Sequence, residues 1–254
     1  MFSRRIISKL EAWKQDEQHK PLILRGARQV GKTTVVNQFG TEFDNYLYFN
    51  LEITQNARLL EMDIPLDQLV QLMFAQSGIS PKEGSTLIFI DEIQNSPKAI
   101  ARLRYFYEQR PDLYIIAAGS LLENLVDVKV SFPVGRVQYL AMHPCSFCEF
   151  LHALGKNNLL DIIDRSYDYS SAFHNELMHL FNQYAIVGGM PEAVQKYAQS
   201  GDVLALDNIY ETLIQSYKDD SEKYVKGGML TQVVRFVLSY GWAFAGKTIT
   251  LGNF

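Results

Sequence analysis

This chain of 254 residues has no long apolar run, only two cysteines and no excess of basic charge. Each shortage excludes a class of protein. The longest apolar stretches, such as Leu87–Ile90 and Tyr114–Ala118, are the length of a strand, whereas a membrane-spanning helix needs roughly 20 such residues. The N-terminus lacks the unbroken apolar core of a secretion signal, and Glu11, Asp16 and Glu17 do not fit a transit peptide. No membrane partner is therefore expected, and a cytoplasmic location is the default. Cys145 and Cys148 cannot build a disulfide framework, which fits a reducing compartment. Acidic residues outnumber basic ones, 28 to 24, for a net charge of −4. That balance disfavours a strongly basic nucleic-acid glove. Repeats and low-complexity linkers are also absent. The hydrophobic share, 47%, is ample for a sizeable core in one large domain or two modest ones.

The order of elements carries the fold class. Phe2, Ile6, Leu10 and Trp13 recur at helical spacing, with Arg4, Arg5, Lys9 and Lys14 around them. This is read as a short helix packed on the following domain rather than a basic arm for membrane or nucleic acid. Leu22–Leu24 reads as a short buried strand, followed by a glycine-bearing loop and a helix from Lys32 to Phe39. Further strands are expected at Tyr46–Leu51, Thr86–Asp91, Leu113–Ala118 and Val137–Met142. Helices are expected at Leu66–Ala75 and from Pro97 to Gln109, the latter with Ser96 as N-cap and Pro97 at its first position. Strands alternating with helices imply an α/β fold, a parallel sheet flanked by helices. After residue 142 the pattern turns almost wholly helical, with segments at 146–154, 157–166, 171–186, 191–199 and 202–217.

The strongest local signal is Gly26-Ala27-Arg28-Gln29-Val30-Gly31-Lys32-Thr33, followed by Thr34. It fits G-x-x-x-x-G-K-T, the phosphate-binding loop of a P-loop NTPase. Glycines let the backbone curl so that successive N–H groups face phosphate oxygens. The helix that opens at Lys32 adds the positive end of its dipole. Lys32 is expected to reach the β- and γ-phosphates, and the Thr33 hydroxyl to ligate Mg²⁺. The same expression recurs at Gly241-Trp242-Ala243-Phe244-Ala245-Gly246-Lys247-Thr248. Bulky aromatics do not suit an anion cradle, a helical pattern rather than a strand precedes it, and only six residues follow, so it is rejected.

Leu87–Asp91 is an apolar strand that ends in Asp91-Glu92, 59 residues beyond Lys32. Asp91 is the candidate metal carboxylate and Glu92 the candidate general base for an attacking water. The further strand Tyr46–Leu51 between the two motifs suits the P-loop class with an inserted strand and a glutamate beside the metal aspartate. Ser120 ends the next strand and is a candidate γ-phosphate sensor or the N-cap of the following segment. Arg136, beside Gly135, is read either as a finger reaching a neighbouring subunit's nucleotide in a homo-oligomer or as an ordinary surface arginine. His143, Cys145, Cys148 and His152 lack a second ligand pair with zinc spacing, so the cysteines are read as core thiols.

Taken together, residues 24–34, 88–94 and 118–120, with Gly135-Arg136, His143–Leu151 and Gly188–Glu192, resemble prokaryotic AAA-type (AAA+) ATPases that carry an uncharacterised C-terminal domain. These are kin of the signal-transducing ATPases. The resemblance implies a nucleotide core at 1–142, an all-helical lid at 143–217 and the start of a winged helix at 218–254. It implies ATP and Mg²⁺, with Gly189 and Pro191 in the turn that contacts the adenine. No arginine follows Pro191 in the lid helix to act as a second sensor, and Cys145 stands where leucine is usual. ATP rather than GTP is implied by the family, and no N-K-x-D motif appears. The expected activity is hydrolysis of ATP to ADP and phosphate as a conformational switch. The alternatives are a nucleotide-gated module with little turnover, or a DNA-linked ATPase. A protein effector or DNA would act through a missing C-terminal region, since the chain reads as a fragment.

Overall fold

The computed structural model describes residues 2–119, 133, 135–165, 170–224 and 228–244. Five strands, β1 (Leu22–Arg25), β2 (Asn45–Asn50), β3 (Thr86–Asp91), β4 (Leu113–Gly119) and β5 (Gln138–Ala141), form one sheet in the order β2-β3-β4-β1-β5. Every pairing is parallel. Consecutive residues of a strand face opposite sides, and both faces of this sheet are covered. Ile23, Ile88, Ile90, Ile115 and Ala117 point to one core, which α3 (Thr54–Glu61), α4 (Leu66–Ser77) and α5 (Pro97–Gln109) close with Leu60, Leu69, Met73, Leu103 and Phe106. Leu22, Leu24, Leu87, Phe89, Ile116 and Ala118 point to the other. There α1 (Ile6–Gln15) and α2 (Lys32–Gly40) supply Ile6, Leu10, Trp13, Val36 and Phe39. All six residues of β3 are buried, which explains its unbroken apolar run. Each such leucine or phenylalanine contributes about 1.5–3 kcal/mol by leaving water.

This is the parallel α/β sheet expected. One detail differs: the strand lying in space between the loop strand β1 and the acidic strand β3 is β4, while β2 forms the sheet edge. The described residues after β5 form helices α6 (Phe147–Ala153), α7 (Asn157–Arg165), α8 (Ser170–Val187), α9 (Pro191–Ser200), α10 (Asp207–Tyr224) and α11 (Gly228–Tyr240). Their own core gathers Cys145, Phe150, Val187, Val194, Tyr197 and Leu206. Cys145 is fully enclosed there, and burial pushes its thiol up to about 11. Helix α10 runs on to Tyr224, beyond the 202–217 expected, after a 3₁₀ turn at Leu204–Leu206. The second loop-like match begins with a 3₁₀ turn at Gly241–Phe244, and its Gly246, Lys247 and Thr248 lie outside the described residues. Among the described residues, no helix is long and apolar enough to cross a membrane.

Candidate functional site

The Gly26–Thr33 loop leaves the end of β1 and enters α2, as its sequence context requires. Gln29 (φ 60°) and Gly31 (φ 91°) both adopt left-handed backbone. Left-handed turns interleaved with right-handed ones make a concave array of N–H groups, a nest for an anion. Gly31 is the residue before α2, and its carbonyl accepts the Val35 N–H at 3.0 Å. Gly26 serves another purpose. A side chain there would come within 2.4 Å of the Met142 carbonyl, so only glycine lets β1 pass so close to the end of β5.

Lys32 is buried, and its ammonium folds back to donate to the carbonyls of Gly26 (2.8 Å) and Ala27 (2.9 Å). Burial lowers its pKa, while the carboxylates of Glu92 and Asp91 oppose that shift. Thr33 donates its hydroxyl to Asp91 Oδ2 at 2.6 Å. The candidate metal ligands from the two motifs, 58 residues apart, thus meet at one point. A hydroxyl and a carboxylate oxygen in contact are the hard donors that Mg²⁺ takes. Thr34 lines the same cleft.

Glu92 has φ 52°, an uncommon conformation for a non-glycine residue and one that costs roughly 1–3 kcal/mol. Its backbone N–H donates to Asp91 Oδ1 at 3.0 Å, and its side chain accepts from Gln94 in the 3₁₀ turn Ile93–Asn95. The pKa of Glu92 is raised by burial and by the neighbouring acids Asp91 and Glu52, against the pull of Gln94 and Lys32. A carboxyl poised upward is suited to accept a proton.

Facing the loop across a cleft of about 400 Å³ are Pro191, Glu192 and Gln195 of α9, with Phe2 and Arg4 from the N-terminal segment. Pro191 reaches the cleft, its ring 3.8 Å from the place a Gly31 Cβ would occupy. Gly189 does not line it. Gly189 accepts the Cys145 N–H at 2.6 Å, and a side chain there would strike the Cys145 carbonyl at 2.5 Å. Arg136 lies elsewhere, before β5, where its guanidinium donates to Glu108 of α5. Ser120 lies outside the described residues.

Sequence reasoning missed two contributors. Tyr48 on β2 donates to Asp91 Oδ2 at 3.3 Å, and burial together with the Asp91 carboxylate raises its hydroxyl to about 12. The register pairs Asn50 with Asp91 and Tyr48 with Phe89, so alternation along β2 was the available signal. Arg4 carried no signal beyond being one of several basic residues around an amphipathic helix. It is buried, and its Nη1 donates to the carbonyl of Val30 inside the phosphate loop at 2.9 Å.

The family model described as an AAA domain matches residues 18–151, more than half of the chain. An uncharacterised protein of Methanocaldococcus jannaschii is 25% identical over 235 residues, 84% of this chain. The chain spans 46% of that relative's length. A solved structure, the Walker-type ATPase of Pyrococcus abyssi, superposes with a TM-score of 0.54 at 16% identity. The match covers 99% of this chain and 86% of that one, and it speaks for the fold. The phosphate loop, the acidic end of β3 and the family match agree, and the chain belongs to the AAA-domain family, that of prokaryotic AAA-type P-loop ATPases.

Proposed function

We propose that this protein binds Mg-ATP in the cleft between the phosphate loop and α9 and hydrolyses it to ADP and phosphate as a conformational switch. The observation that carries the reading is the 2.6 Å bond between Thr33 and Asp91, which joins the loop motif to the acidic motif beside a buried lysine. The loop N–H groups from Arg28 to Thr34 cradle the phosphates. Lys32 exchanges its two loop carbonyls for phosphate oxygens. Thr33 and Asp91 would hold Mg²⁺, which supplies charge neutralisation on the transferring phosphoryl group. Glu92 orients the attacking water and takes its proton. Gln94 steadies the Glu92 carboxylate until that step.

In this reading residues 1–142 form the nucleotide core and 143–217 the lid. Pro191 lies against the adenine. Because α9 supplies one wall of the cleft, filling or emptying it changes how α9 sits on the loop, and this is the switch. Ser120 as γ-phosphate sensor and Arg136 as finger in a homo-oligomer complete the proposal. A protein effector or DNA would respond to the switch.

The test is steady-state phosphate release by the wild type and by Glu92→Gln, with ATP affinity measured in parallel. The variant should keep ATP and lose turnover by at least tenfold. Equal turnover in the two proteins sinks the assignment of Glu92. Tight binding with wild-type turnover no higher than the variant's favours the low-turnover, nucleotide-gated module. DNA-stimulated, salt-dependent hydrolysis would identify the DNA-linked ATPase.

A further inference from the structure

The guanidinium of Arg4 touches three segments far apart in sequence. Its Nε donates to Glu149 Oε1 at 2.8 Å, its Nη1 to the Val30 carbonyl at 2.9 Å and its Nη2 to the His143 carbonyl at 2.8 Å. The side chain is 8% exposed. Glu149 is equally enclosed and fully used. Its Oε1 also accepts the Arg5 N–H at 2.9 Å, and its Oε2 accepts the Ser146 N–H at 2.8 Å in the capping box that starts α6. One planar cation therefore binds the phosphate loop, the end of β5 and the first helix of the helical part.

The contact with Val30 bears on phosphate binding directly. In a trans peptide the carbonyl and the next N–H point in opposite directions. Holding the Val30 carbonyl from outside the loop fixes where the Gly31 N–H points. Gly31 sits at φ 91°, where glycine has several alternatives of similar energy and needs an external constraint to keep one. Lysine could not do the same work, because it is a point charge on a flexible stem rather than a fork with fixed donor directions.

We propose that Arg4 is a positioning residue that orients the Val30–Gly31 peptide for phosphate binding and, through Glu149, transmits occupancy of the loop to α6. The inference rests on the Mg-ATP reading of the cleft and deepens it. Neither Arg4 nor Glu149 needs to touch the nucleotide's reacting atoms.

The experiment compares wild type, Arg4→Met, Arg4→Lys and Glu149→Gln by ATP-binding calorimetry and by hydrogen exchange with and without saturating Mg-ATP. In the wild type, Mg-ATP should protect amides both of the loop and of α6. Arg4→Met should bind ATP at least tenfold more weakly. Once saturated, it should protect the loop without protecting α6. Arg4→Lys should fail to restore either property, whereas a role that needs only positive charge would be rescued. Glu149→Gln should bind ATP within a few-fold of wild type yet lose the α6 response. If Arg4→Met does not fold, Arg4→Lys and Glu149→Gln carry the same two readouts. Wild-type affinity together with an intact α6 response in the Arg4 variants overturns this inference alone. A wild type that binds no ATP overturns the Mg-ATP reading on which it rests.

Discussion

Replacing Gly31 by alanine separates conformational cost from loss of function, provided the right control accompanies it. At φ 91° an L-residue is strained, and the cost is roughly 1–2 kcal/mol. Space is not the difficulty, since the nearest atom to an added Cβ is Met142 Cε at 3.7 Å, an ordinary contact. Gly201, which ends α9 at φ 65° with nothing within 4 Å, should cost about the same 1–2 kcal/mol when changed to alanine. The two variants should therefore lose similar stability in thermal unfolding without ligand, about 2–4 °C of melting temperature per kcal/mol. They should diverge when Mg-ATP is added. A ligand at 100 times its Kd stabilises by about 2.7 kcal/mol, and Gly201→Ala should keep that gain. Gly31→Ala should lose most of it if, as proposed, the Gly31 N–H faces phosphate, because the strain turns that N–H away. Equal ligand-induced stabilisation in both variants would refute the placement of phosphate at Gly31.

Other predictions follow from single contacts. Glu149→Gln tests the ion pair with Arg4. Burial pushes the Glu149 carboxyl up, but the Ser146 N–H, Arg4 and the Arg5 N–H outweigh it and hold the carboxyl below its ordinary value. A depressed carboxylate stabilises the fold above the unfolded-state pKa and loses that contribution as pH falls through the folded value. The variant should be less stable than wild type at pH 7, and the gap should close below about pH 4.5, as urea midpoints across pH would record. Gln94→Ala should lower turnover several-fold with ATP affinity unchanged, read as a kcat effect without a KM effect. Gly189→Ala should cost about 1–3 kcal/mol by forcing the α8–α9 turn off the Cys145 carbonyl, measured by thermal unfolding. Iodoacetamide at pH 8 should label the partly exposed Cys148 well before the buried Cys145, with equal labelling only in denaturant.

The elements legible in the sequence are those whose local chemistry and burial agree. Ser96-Pro97 announces α5, and Ser96 does cap it, accepting the Ala99 N–H at 3.2 Å. The apolar run of β3 and the glycine loop before α2 are equally local. Helix α3 escaped notice because Ile53 offers no side-chain cap and only Leu59 and Leu60 of its eight residues are buried. The order of strands was not legible either, since putting β4 between β1 and β3 depends on the β1–β4 pairing of Leu22 with Ile116, 94 residues apart.

The site divides in the same way. Lys32, Thr33, Asp91 and Glu92 form a contiguous pair of motifs, and their convergence follows from the fold class. Arg4 meets partners 26, 139 and 145 residues away, and no spacing rule reaches that far. The resemblance assigns Gly189 to the adenine turn, and the bond its carbonyl accepts from the Cys145 N–H is one that no local pattern announces.

Titration calorimetry of the chain with Mg-ATP, wild type beside Lys32→Ala, tests the central claim most directly. Lys32 can give phosphate two charge-assisted hydrogen bonds, each worth about 1.5–3 kcal/mol, and every 1.4 kcal/mol is tenfold in affinity. Saturable binding at one site per chain, weakened about 100-fold or more in Lys32→Ala, is the predicted result. No binding by the wild type, or the same affinity in both proteins, would contradict it.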